Sequence, residues 1–134
     1  MERDVDVKRE KRKFYKKFFL LFGLICLLFI GTISYGVYWA FYDMERLPKG
    51  EFLTEETSSD GQYTLKAYLT NGGATVSYAI RGELVFNEQS NKTKNIYWNY
   101  REQYATINWI DNDTVVINGH KLNVPNEKFD WRNQ

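Results

Sequence analysis

The sequence predicts an all-β domain, a small antiparallel meander of about six strands, preceded by one N-terminal transmembrane helix. Three observations carry that prediction. One unbroken apolar run, Phe18–Tyr42, has 25 residues and no charged side chain. Beyond it, apolar residues recur with period two in short stretches separated by Gly, Asn and Asp. No stretch after residue 42 shows the 3.6-residue period of an amphipathic helix of useful length. The pattern is compatible with a curled sheet, a barrel or a sandwich.

The apolar run comes first. At about 1.5 Å per residue it reaches roughly 37 Å as a helix, enough to cross a hydrocarbon core of about 30 Å with some tilt. Its flanks predict its direction. Residues 1–17 hold eight Lys/Arg against four Asp/Glu, and the remainder of the chain holds ten against 13. Lys and Arg beside a membrane end stay cytoplasmic. The expected order is a basic cytoplasmic tail (1–17), a transmembrane helix (18–42), a juxtamembrane linker (43–57) and an extracytoplasmic β domain (58–134). Phe14, Tyr15, Phe18 and Phe19 mark the inner interface; Tyr35, Tyr38, Trp39 and Tyr42 mark the outer one. A cleaved signal peptide fits less well, because its apolar region runs about 7–15 residues and ends at a small-residue cleavage site. Thr32, Gly36 and Ala40 fall four apart, a spacing that permits weak helix-mediated self-association.

The external strands follow in order. Asp60-Gly61 signals a turn, and Tyr63, Leu65, Ala67 and Leu69 then alternate with polar neighbours. Asn71-Gly72-Gly73 connects to a long strand from Thr75 to Phe86, in which Gly82 marks a bulge or bend. After a turn at 87–92, Ile96, Trp98 and Tyr100 share one face, with Tyr97 opposite. Ala105, Ile107 and Trp109 form the next strand. Asp111-Asn112-Asp113 turns the chain, and Asn118-Gly119 joins two further strands as a tight hairpin. Trp98, Trp109 and several tyrosines are expected to supply much of the core.

Chemistry is harder to place. Cys26 is the only cysteine and lies within the apolar run, so no disulfide framework or thiolate metal cluster is expected outside. His120 is the only histidine and reads first as an exposed residue flanking a turn. Asp111 and Asp113 have a spacing seen in calcium loops, but the glycine and distal glutamate of such a loop are missing; a turn explains them better. No cofactor, metal site or nucleic-acid partner is expected. Arg81 and Glu83 share a strand face and form either a solvated ion pair or a polar recognition spot. With Tyr97, Tyr100 and His120 they make up the candidate binding residues.

The stretch DGQYTLKAYLTNGGATVSYAIRGEL (60–84), with NIYWNY (95–100) and NDTVVINGHKLNVP (112–125), resembles a Bacillus-type family of small single-pass membrane-anchored proteins classed as a domain of unknown function. The resemblance spans about residues 58–125. It implies a Gram-positive cell membrane with a uniform domain outside, and it carries over no catalytic or ligand residues.

The expectation is therefore a non-enzymatic, single-pass cell-membrane protein. Its external domain binds another protein or the cell envelope, where a cell-wall polymer is the other candidate partner. Two alternatives remain. One is a glycan-binding domain using exposed rings among Tyr68, Tyr97, Tyr100 and Tyr104. The other is an envelope hydrolase using Asp60, Arg81, Glu83, Asp111 or His120.

Overall fold

The computed structural model describes all 134 residues. The chain divides into two compact units, Met1–Tyr42 and Asp43–Gln134. The first is one helix, α1 (Glu2–Phe41), with no buried residue. Its most apolar window has a mean hydropathy of 2.4, long and apolar enough to cross a membrane. The helix starts well before residue 18. Lys, Arg and Glu of the basic segment are good helix formers, and neither Gly nor Pro interrupts before Gly23.

The second unit contains eight strands, not six: β1 (Glu51–Thr57), β2 (Tyr63–Thr70), β3 (Ala79–Phe86), β4 (Lys92–Tyr100), β5 (Ile107–Trp109), β6 (Thr114–Ile117), β7 (His120–Asn123) and β8 (Phe129–Asp130). They form a five-stranded sheet, order β1-β2-β3-β4-β8, and a three-stranded sheet, order β5-β6-β7. All pairings are antiparallel except β4 with β8.

Residues 43–57 are a correction to the linker expectation. They form a short 3₁₀ turn (Met44–Arg46), an extended strap and the edge strand β1. Six of the seven β1 residues are exposed, so the strand carries charge on both faces and its composition imitates a linker. The β2–β3 connection is also longer than expected. Residues 71–78 are a loop, and Val76 and Tyr78 are exposed there rather than paired in β3.

The hairpins read from turn chemistry do form. Ile117 pairs with His120 across Asn118-Gly119, both of which have positive φ, as a two-residue turn of this hand requires. Asp111 accepts the Asp113 backbone N–H at 2.9 Å and fixes the β5–β6 turn. That bond holds the Asp111 carboxyl below the usual aspartate range.

The irregularity expected at Gly82 is a β-bulge whose extra residue lies on β4. Gly82 pairs with Tyr97, but Glu83 pairs with Asn95, leaving Ile96 extra. A Cβ on Gly82 would stand 2.7 Å from the Tyr97 Cβ, so only glycine fits there. The bulge puts both Ile96 and Tyr97 in the core and sends Trp98 to the opposite face.

One apolar cluster draws on both sheets. Leu65, Ala67, Ile80, Leu84, Ile96 and Tyr97 meet Ile107, Val115, Ile117, Leu122 and Val124. Aliphatic side chains dominate it. Tyr97 is the single fully buried ring, while Trp98 and Trp109 are only half-buried, contrary to the expected aromatic core.

Candidate functional site

The strand register places Phe52, Tyr68, Arg81 and Trp98 side by side across β1, β2, β3 and β4, on the sheet face opposite the core. Thr70, Ala79 and Tyr100 continue that face toward one end of the sheet. The strap, residues 43–50, lies along it. Asp43 caps the 3₁₀ turn by accepting the Glu45 N–H at 3.0 Å. Met44 is buried. Its carbonyl accepts the Asn95 side-chain amide at 2.6 Å, and Glu45 accepts the Asn95 backbone N–H at 3.1 Å.

Arg81 holds the other half of the strap. Its Nε and Nη2 both donate to the Lys49 carbonyl, at 3.2 and 2.8 Å. Its Nη1 donates to Glu83 at 2.9 Å and to Asn95 at 2.8 Å. The guanidinium also sits 4.2 Å from the centroid of the Tyr68 ring. Arg81 is 4% exposed, and these partners satisfy a cation that burial would otherwise penalise. Gly50, at φ +77°, ends the strap where a Cβ would stand 2.6 Å from the Leu69 carbonyl oxygen.

The end of the strap and the 71–78 loop enclose a concavity of about 230 Å³. Pro48, Val76, Trp98 and Tyr100 form its apolar walls. A second concavity of about 650 Å³ adjoins it on the other side of the loop, sharing Asn71, Val76 and Ser77. Tyr78, Arg101 and Gln103 complete that second wall. The Ser77 backbone N–H donates to the Tyr100 hydroxyl at 3.1 Å, which ties the loop to β4 and holds this phenol below the usual tyrosine value. Trp131 stacks on the Tyr100 ring with centroids 5.1 Å apart. Arg101 has φ +63°, a conformation that costs a non-glycine residue about 1–2 kcal/mol. Its N–H donates to the Tyr78 carbonyl at 2.7 Å, which fixes that geometry.

A separate polar network joins the two sheets. The Tyr97 hydroxyl donates to the Glu102 carboxylate, with oxygens at 2.8 and 2.9 Å. Asn99 donates to the same carboxylate at 2.6 Å and Asn118 at 2.7 Å. Asn118 also bonds the Tyr104 carbonyl and the Thr106 N–H. Burial, and then the facing carboxylate, raise the Tyr97 phenol well above the ordinary tyrosine value.

The five candidate residues therefore separate. Arg81 and Glu83 pair on the outer face, as their spacing predicts. Tyr100 is half-buried at the cleft, where its ring is partly accessible. Tyr97 does not point outward: its ring is fully buried and stacks on Phe129, so a sugar cannot reach it. His120 is half-buried and not an exposed turn residue, with its ring centroid 4.0 Å from that of Phe129. Sequence reasoning missed Pro48 and expected Trp98 in the core. It read Arg101 and Glu102 as it read Arg81 and Glu83, an ion pair or a polar recognition spot, whereas Glu102 accepts from Tyr97, Asn99 and Asn118 and Arg101 lines the larger concavity. The signal for Trp98 was its alternation with Tyr100, obscured because Ile96 breaks the phase. Nothing local marks Pro48, whose role depends on strap residues read as a linker.

No curated protein and no solved structure matches this chain. The likeness read from the three motifs above is upheld at the level of the family. Residues 16–134 match DUF5412, a family of unknown function, and the protein belongs to that family.

Proposed function

We propose that the chain is a single-pass membrane protein with a cytoplasmic N-terminus, and that its external β unit is a non-catalytic binding module for another extracytoplasmic protein. The two sheets, sharing one apolar cluster, read as a small sandwich. The concavity walled by Pro48, Val76, Trp98 and Tyr100 carries the functional reading. Apolar and aromatic walls with a few polar groups at the rim suit a buried anchor side chain from a partner.

The titratable groups support a non-catalytic role, because each is engaged in its own place. Asp60 accepts from Ser58 and the Gln62 N–H in the β1–β2 turn. Asp111 organises another turn, His120 packs on rings, and Arg81 with Glu83 fixes the strap. For the orientation, the basic excess of residues 1–17 is the support.

A photoreactive amino acid in place of Val76, in cells making the full chain, tests the reading. The expected result is a discrete protein adduct that disappears in Trp98→Ala. An adduct with cell-wall polymer would favour the glycan reading instead. No adduct, or one indifferent to Trp98→Ala, would overturn the cleft as the binding site.

A further inference from the structure

Arg101 is the only charged residue lining either of the two adjoining concavities. It has no acidic partner: the ion pairs of the β unit join Lys66 with Glu55, Arg81 with Glu83, and Arg132 with Asp130. Its guanidinium lies 5.7 Å from the Tyr100 ring centroid, beside the apolar cleft. Its backbone is held at φ +63°, a region that long side chains rarely occupy, by the 2.7 Å bond to the Tyr78 carbonyl. Strained backbone that is over-determined by its surroundings is concentrated at binding sites.

We infer that the two concavities form one bipartite site for a peptide group pairing a bulky apolar side chain with an adjacent carboxylate. The inference rests on the cleft reading above and adds the charge of the ligand. The apolar side chain enters between Pro48, Val76, Trp98 and Tyr100. The carboxylate crosses the shared wall at Asn71, Val76 and Ser77 and meets Arg101, with Gln103 as a further donor. Arg suits this task because its planar fork pairs a carboxylate through two parallel N–H bonds. No negative charge lines either concavity to compete with the ligand for the guanidinium.

The test uses the full chain in detergent micelles, labelled with ¹⁵N-tryptophan and titrated with N-acetyl-leucine or its uncharged amide. Trp98→Phe assigns the Trp98 indole signal among the four tryptophans. N-Acetyl-leucine should shift that signal and bind about fivefold more tightly than the amide, as one partly solvated ion pair allows. Arg101→Gln should abolish the preference without abolishing amide binding, Arg101→Lys should keep part of it, and added salt should weaken it. Equal binding of acid and amide by the unmodified chain would overturn the charged half and leave the cleft reading standing. If neither compound moves the Trp98 signal up to its solubility limit, both fall.

Discussion

The hydroxyl of Tyr97 meets the Glu102 carboxylate from a ring that is fully buried. The phenol value is raised in the folded state, so its neutral form is favoured there more than in the unfolded chain. The sign follows by linkage. This contribution is complete below the unfolded tyrosine value of about 10 and is lost as pH rises through the folded value. Tyr97→Phe should cost about 1.5–3 kcal/mol near neutrality by removing a hydrogen bond to a charged group. It should also flatten the alkaline loss of stability above about pH 10, as read from denaturant midpoints across pH. An alkaline profile unchanged by the substitution would place the titrating group elsewhere. The sequence placed Arg81 and Glu83 on one strand face, where they pair, because a two-residue spacing on one strand is a local property. It misjudged Tyr97, because the side of the sheet a ring occupies depends on every residue between it and the last fixed pairing.

Elements whose signal is local were legible: the apolar helix, the Asp60-Gly61 turn, the Asn118-Gly119 hairpin and the alternation of β2. The element that inverted the site was the β4 bulge. Ile96 adds one residue and moves the rest of the strand out of phase, which exchanges the roles of Tyr97 and Trp98. Glycine at position 82 was the clue, but glycine tells of close approach without saying which strand carries the extra residue. Gly82→Ala should destabilise the unit by about 1–3 kcal/mol, because the new methyl meets the Tyr97 Cβ. Equilibrium denaturation measures this loss, and since Gly82 has no positive φ the loss reports the close packing rather than backbone strain. If Gly82→Ala leaves the denaturation midpoint unchanged, close packing is not what glycine provides there. Strand β1 escaped notice for another reason: an edge strand buries little, so its sequence owes little to a core.

On the scale of the whole chain, the uneven distribution of charge is the most legible feature. Eight of 18 Lys/Arg fall within the first 17 residues, in the N-terminal part of a helix that buries no side chain in its own unit. A cysteine at exposed Ser59 should react with a membrane-impermeant maleimide in intact cells, whereas one at exposed Val7 should react only after permeabilisation. The opposite pattern would reverse the proposed topology. The apolar run predicts a helix long and apolar enough to cross a membrane from length and composition alone. The union of two sheets around one core could not be read the same way, since it depends on pairings between residues far apart in sequence, such as Leu65 with Ile117 in the shared cluster.

The strap has a mechanical consequence. Tension between the helix and the β unit enters the unit through Asp43 and loads the strap before any strand. Its fastenings include the Asn95 bonds to Met44 and Glu45, the buried Met44 side chain, and the two Arg81 bonds to the Lys49 carbonyl. These fastenings yield one after another, whereas a β hairpin stretched along its strands must break many bonds together. Pulling on single molecules should show an early, low-force step releasing up to about 28 Å, for eight residues at about 3.5 Å each. In Arg81→Ala that step should move to lower force while the later rupture of the sheets remains. The strap would then act as a shock absorber between the helix and the β unit that follows it.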